Sequence, residues 1–437
     1  MSELPVVVVG AGPAGLAAAA QAVDRDLPVV VLEAGPSAGT AVREWHHVRL
    51  FSRWAELVEP TAAALLASTG WQHPDGAAYP TGAEWARSYL QPLADALGDR
   101  VRYGARVTGV ARRGWDRVVD GARETEPLTV RVETAAGEER IAARAVIDAS
   151  GTWSTPGPLG GDGLPALGER DAADRTTRRV PDLTDAALRA RYAGRRIALA
   201  GSGHSALTAL VAFAELAGQH PGTHVQWILR RGAIGDAFGG GDADQLPARG
   251  ALGLRAAEAV RAGHVSVVTG FRTSAVTRED GGLVLDAFDG RRLGPVDEVV
   301  ALTGFRPDLG WLGEVRLDLD PVLQAPRALA PLIDPNVHSC GTVYPHGARE
   351  LAQPEPGLYL VGMKSYGRAP TFLALTGYEQ TRSVVAAIAG DREAADRVEL
   401  VLPETGVCGG AGLIDAPVDA GGCCAPAEPL SIGIRTG

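Results

Sequence analysis

The chain has 437 residues, more than one ordinary hydrophobic core serves, and so predicts two or three domains. A formal net charge of −10 with no basic run argues against a nucleic-acid partner, and no stretch approaches the ~18 consecutive apolar residues of a membrane span. With no signal-type segment at the start, a cytoplasmic protein is expected, and its four cysteines are expected as thiols rather than a disulfide framework.

Pro5 to Val9 is a short, wholly apolar run, which predicts a strand buried on both faces of a parallel sheet. A glycine turn follows, with Gly10, Gly12 and Gly15 framing Pro13 and Ala14. Gly10 permits the tight turn, Gly12 lets the backbone approach a pyrophosphate, and Gly15 lets a helix over Leu16 to Val23 pack on the strand. The amides and dipole at that helix start would face the phosphates. A second apolar run, Pro28 to Leu32, ends in Glu33 and Ala34, and a carboxylate at that place accepts hydrogen bonds from ribose hydroxyls. Strand, turn, helix and acid together predict a dinucleotide site, and the physics alone allows FAD or NAD.

Ala34 to Pro80 leaves regular form and concentrates Arg43, Trp45, His46, His47, Arg49, Ser52 and Trp54. His46 and His47 lack the i,i+4 spacing that puts two ligands on one helix face, so no metal site is expected there. Gly82 to Leu97 has the period of a helix, Val101 to Val110 reads as a strand region, and Thr129 to Glu133 with Ile141 to Ala142 reads as a hairpin. Ala145 to Ser150 is another buried strand leading into Gly151.

Thr152 to Arg191 has the composition of a linker with a short helix over Asp185 to Arg191. A second nucleotide fold follows: a strand over Ile197 to Ala200, then Gly201, Gly203 and Ala206 at fingerprint spacing around His204 and Ser205, and a helix over Ser205 to Leu216. Its second strand, Val225 to Leu229, ends in Arg230 and Arg231 instead of an acid. Guanidinium groups there grip a 2′-phosphate that a carboxylate would repel, so this site predicts NADPH. Strands are expected again at Val265 to Val268, Leu283 to Leu285, Glu298 to Ala301 and Leu358 to Val361, and a helix from near Thr371 to Ala389. His338, Cys340 and His346 match no common zinc spacing. From Pro403 the chain is a Gly/Pro/Ala tail with Cys408, Cys423 and Cys424, expected to be poorly ordered or ordered by a second subunit of a homo-oligomer.

The order of these features resembles the NADPH-dependent flavin monooxygenases, two-dinucleotide-binding-domain flavoproteins, over residues 1 to about 390. The segments VREWHHVRLFS, RAPTFLALTGYEQ and LPETGVC resemble, more narrowly, flavoproteins of bacterial arsenic-resistance clusters. Residues 152–195 hold no phenylalanine and no histidine, so the signature that usually precedes the second fingerprint in the monooxygenases is absent. The resemblance implies an α/β fold of two Rossmann-like domains, the NADP domain inserted in the FAD domain. Its expected boundaries are 1–155 and 303–395 for FAD, 156–194 for a linker, 195–302 for NADP and 396–437 for the tail. It implies FAD in the first site, contacted by Arg43, Val107, the strand end Ala149, Ser150 and Gly151, and the closing segment with Gly362, Met363 and Thr376. Thr303 and Gly304 would mark the return from the NADP domain. NADPH would reduce FAD, and O₂ would add as a C4a-(hydro)peroxyflavin that oxidises a small soft nucleophile at sulfur, nitrogen or trivalent arsenic. Arg43, His47 and Tyr378 are the catalytic candidates. Two alternatives are a disulfide or metalloid reductase working through the C-terminal cysteines, and a flavin-binding redox sensor.

Overall fold

Val6–Val9 pairs in parallel with Val29–Leu32 on one side and Ala145–Asp148 on the other, Val9 standing opposite both Leu32 and Asp148. In the computed structural model, which describes residues 4–121, 123–244, 246–335, 337, 346–370 and 372–400, these strands centre a five-stranded parallel sheet. Leu358–Leu360 and Val101–Arg102 form its edges. The valine run is buried on both faces, as its composition predicts. Val6 and Val8 pack with Leu16, Ala19 and the helical layer, whereas Val7 and Val9 pack with Val110, Val130 and Val132 of a three-stranded antiparallel sheet.

The same three-layer design repeats between the first sheet's fourth and fifth strands in chain order. Arg196–Ala200 pairs in parallel with His224–Ile228 and Glu298–Ala301, and Val265–Val268 and Thr176–Thr177 are the edges. Ile197 and Leu199 face the helix His204–Gln219, while Ala198 and Ala200 face a second antiparallel sheet through Leu283 and Leu285. The fold is therefore mixed α/β with two dinucleotide-type units, the second nested in the first.

Two expectations need correction, and one helix has no counterpart among the expected elements. Val101 to Val110 is not one strand region, because Gly104 takes φ +62° and splits it into Val101–Arg102 of the parallel sheet and Arg106–Arg112 of the antiparallel one. The stretch read as linker supplies Thr176–Thr177 to the second sheet. A helix over Pro247–Arg261 is not foreseen, because Gly250 and Gly253 break its pattern; they let it approach the carbonyls of Gly241 and Phe238, which a Cβ would meet at 2.1 and 1.8 Å.

No helix among the described residues is long and apolar enough to cross a membrane. Cys340, Cys408, Cys423, Cys424 and His338 lie outside the described residues, and with them all the tail thiols.

Candidate active site

The first sheet's strands deliver their glycine turns to one edge, and a cavity of about 550 Å³ opens there. Gly10, Gly12, Pro13, Ala14 and Glu33 line it from the first fingerprint, and Ala149, Ser150, Gly151, Gly362 and Met363 from the neighbouring strand ends. His204, Ser205 and Thr208 of the nested unit close the opposite side, so both fingerprints face one space. Crevices outside the carboxyl ends of parallel strands are where such sheets bind ligands.

Each glycine of the first turn has a distinct reason. Gly10 has φ +100° and a Cβ on it would stand 2.9 Å from the Ala149 carbonyl oxygen. A Cβ on Gly15 would lie 1.9 Å from the Gly10 carbonyl oxygen, so only glycine lets the helix seat on the strand. Gly12 differs, for no heavy atom lies within 4 Å of its would-be Cβ, and that open space borders the cavity. No side chain caps the helix Pro13–Asp24, so its N-terminal end presents backbone and dipole to an anion. Glu33 is held from both sides: Ala11 N–H donates to Oε2 at 2.8 Å and Gly35 N–H to Oε1 at 2.7 Å. Each oxygen keeps a second acceptor site for a ribose hydroxyl. These residues fit a bound FAD.

The second turn repeats the logic. Gly201 has φ +130° and a Cβ there would meet the Leu302 carbonyl oxygen at 2.2 Å, whereas around Gly203 the space is open. Ala206, fully buried, takes the third position and packs the helix. Arg231 Nη2 donates to Ser202 Oγ at 3.3 Å, which folds that arginine toward the fingerprint; Arg230 is exposed beside it. His204 begins the helix with its ring edge-on to Phe51 at 5.2 Å between centroids. Its surface is reached from the cavity, yet the protein walls desolvate it and nearby Arg249 opposes a second positive charge, which lowers its pKa to about 4. The ring is therefore neutral at physiological pH.

Several expected site residues stand elsewhere. Arg43 does not line the cavity: its guanidinium donates to the Ala38 carbonyl at 3.0 Å and to Gln91 Oε1 at 3.2 Å, pinning the loop after the ribose strand. Tyr378 is buried, and its hydroxyl donates to the Leu57 carbonyl at 2.6 Å, so it braces the segment behind the cavity wall. Burial and the neighbouring Tyr89 and Glu59 raise its pKa well above the ordinary phenol value. His47 also lies outside the lining and faces Asp182 with His46. Ala34 is exposed, Thr376 is buried, and Val107 sits in a bulged strand register; none of the three lines the cavity. Thr303 and Gly304 are exposed and serve the crossover, Thr303 Oγ1 donating to the Gly157 carbonyl at 2.8 Å and Gly157 N–H to the Gly304 carbonyl at 2.7 Å.

Residues that sequence reasoning did not single out close the site. Trp153 stacks on Phe305 at 4.9 Å between centroids, Arg179 lies 4.0 Å over the Trp153 ring, and Trp153 Nε1 donates to Glu44 at 2.7 Å. Trp153 and Phe305 flank the two crossovers between units, bridged at Pro156 and Phe305, so this stack ties the crossovers together beside the cavity, which Trp153 lines. The aromatic at each crossover was the available signal.

Two dinucleotide folds opening on one cavity define a flavoprotein oxidoreductase that uses FAD and NADPH. Residues 7–327 match the pyridine nucleotide-disulphide oxidoreductase family, and the chain belongs to it. No curated protein matches the sequence. Among solved structures, the bacillithiol disulfide reductase of Bacillus cereus is similar with TM-score 0.63 and 19% identity, over 89% of this chain and 99% of that one. The ornithine hydroxylase of Pseudomonas aeruginosa has TM-score 0.58 and 17% identity over 89% and 99%. A flavin-containing monooxygenase of Stenotrophomonas maltophilia has TM-score 0.52 and 23% identity, again over 89% and 99%. At these identities the likeness is one of fold, and it includes reductases and monooxygenases alike.

Proposed function

We propose that the protein is an NADPH-oxidising flavin monooxygenase that transfers one atom of O₂ to a small soft nucleophile at sulfur, nitrogen or trivalent arsenic. NADPH, a proton, O₂ and the substrate would give NADP⁺, water and the oxygenated substrate. The observation that carries this reading is the absence of any cysteine from the cavity lining and from the first 339 residues, which contain both fingerprints. A disulfide reductase of this family type needs a thiol pair beside the flavin.

FAD, when bound, supplies the hydride acceptance and the oxygen chemistry. What the chain supplies is binding, orientation and dryness. Gly10, Gly12 and the helix start would seat the pyrophosphate, and Glu33 the ribose. Arg230 and Arg231 would take the 2′-phosphate of NADPH, bringing the second nucleotide over His204 and Ser205 toward the shared cavity. Trp45, Phe51, Trp153 and Phe372 wall the cavity with rings and help exclude water from it. Neutral His204 offers a hydrogen-bonding ring without a charge that would need hydration.

A full-length variant with Cys340, Cys408, Cys423 and Cys424 all changed to serine tests the reading. NADPH oxidation with matching O₂ uptake should persist. Flavin reduction by NADPH with loss of all turnover would instead favour a reductase working through the C-terminal thiols.

A further inference from the structure

His46 and His47 are neighbours in sequence, and the structure adds a third group that spacing does not show. Asp182, from the segment between the two units, comes in so that one potential ligand atom from each of the three residues lies within 4.8 Å of the others. His46 Nε2 stands 3.7 Å from Asp182 Oδ2, and the two imidazoles sit edge-on with centroids 5.3 Å apart. Asp182 is already oriented: Thr184 donates to Oδ1 through its N–H at 3.0 Å and its hydroxyl at 2.6 Å, which leaves Oδ2 turned to the histidines. Such an outer hydrogen bond to a carboxylate is the usual means of aiming a metal ligand.

His47 is the second observation. Both of its ring nitrogens are shielded from solvent, and neither completes a hydrogen bond, although the carbonyls of Val180 and Pro181 lie near. A shielded imidazole with no satisfied nitrogen is costly unless something else occupies it.

We infer that His46, His47 and Asp182 form a binding site for one divalent transition-metal ion of the zinc class, clamping the loop of the first unit to the segment that leads into the second. Two imidazoles and a carboxylate suit such an ion, with water as a fourth ligand. Bonds of ~2.0–2.2 Å put tetrahedral ligand atoms roughly 3.4 Å apart, so the present separations must close slightly. His46, with its side chain 53% exposed, has the freedom to close them by a rotamer adjustment. The clamp would act beside the site, because Trp45 and Val48 on either side of the histidine pair line the cavity.

The test uses the FAD-loaded, full-length chain without a polyhistidine tag, carrying serine at its four cysteine positions so that thiolates cannot compete. After treatment with EDTA it is titrated calorimetrically with Zn²⁺. One ion per chain is expected. Asp182→Asn, which keeps the Thr184 hydrogen bonds, and His47→Gln should each weaken Zn²⁺ by at least the ~10–100-fold that even outer-shell partners cost. Their FAD content should match the parent and so report an intact fold. Failure of the parent to bind Zn²⁺, or binding unaltered in both variants, overturns the site. Loss of Zn²⁺ binding does not bear on the monooxygenase reading, which is judged by O₂ uptake.

Discussion

Lys364 Nζ lies 2.6 Å from Asp148 Oδ2, and solvent reaches neither side chain. The pair joins two turns that line the cavity, since Asp148 ends the strand before Ala149 to Gly151 and Lys364 follows Gly362 and Met363. Ser150 completes the set: its hydroxyl donates to Asp148 Oδ1 at 2.6 Å and accepts from Lys364 at 3.1 Å. The ammonium also sits 4.5 Å from the centre of the Trp311 ring.

Removing one partner of this ion pair should be far worse than removing both charges. Lys364→Met leaves a buried carboxylate whose Oδ2 has no other partner among the described residues, a loss of about 3–5 kcal/mol. Combining it with Asp148→Asn should restore most of that stability while keeping the Ser150 bonds. Thermal denaturation of the single and double variants, read with FAD content, measures the difference; equal loss in both would mean the charges are not coupled.

Two glycines of one turn should respond differently to substitution. Gly12→Val puts its side chain into open space at the cavity, so the protein should fold yet emerge without its yellow cofactor. Gly15→Val collides with the Gly10 carbonyl and should reduce soluble, folded protein outright. Circular dichroism and flavin absorbance separate the outcomes, and stoichiometric FAD in Gly12→Val would place the pyrophosphate elsewhere.

Arg230→Ala with Arg231→Ala should lower kcat/KM for NADPH by ~10–100-fold, the scale of one or two charge-assisted hydrogen bonds, with little change for NADH. The contact of Arg231 with Ser202 Oγ already directs that side chain toward the second fingerprint. Equal losses with both nucleotides would refute contact with the 2′-phosphate.

His204 carries a pH dependence of definite sign. Desolvation lowers its pKa from the ordinary 6.5 to about 4, so protonation as pH falls from 6.5 toward 4 costs stability, by less than the full shift because solvent reaches the ring from the cavity. The melting temperature should fall over that window less in His204→Asn than in the parent. An NMR titration of the ring with its midpoint near 6.5 would contradict the assignment.

The two glycine turns and the strands before them are legible because backbone sterics dictate them: Gly10 and Gly201 need positive φ, and Gly15 admits no Cβ. The partners of individual side chains are less legible. Arg43 and Tyr378 have the right chemistry and chain position, but their partners, Gln91 and the Leu57 carbonyl, are set by packing that spacing does not encode. Asp182 is invisible for the same reason, since its link to His46 and His47 exists only once the connecting segment folds back. Lys364 follows a strand that the sequence makes legible, yet a lysine after a strand reads as a surface residue until Asp148 is seen beneath it.

The central claim is that electrons from NADPH pass through the flavin to O₂ and not to a thiol pair. Rapid mixing of the NADPH-reduced, cysteine-free protein with oxygenated buffer tests it most directly. A transient flavin absorbance distinct from the oxidised and reduced spectra is expected, with a decay accelerated by a soft nucleophilic substrate. A reduced flavin that stays reduced in O₂, and is reoxidised only by a disulfide in the cysteine-containing parent, would contradict it.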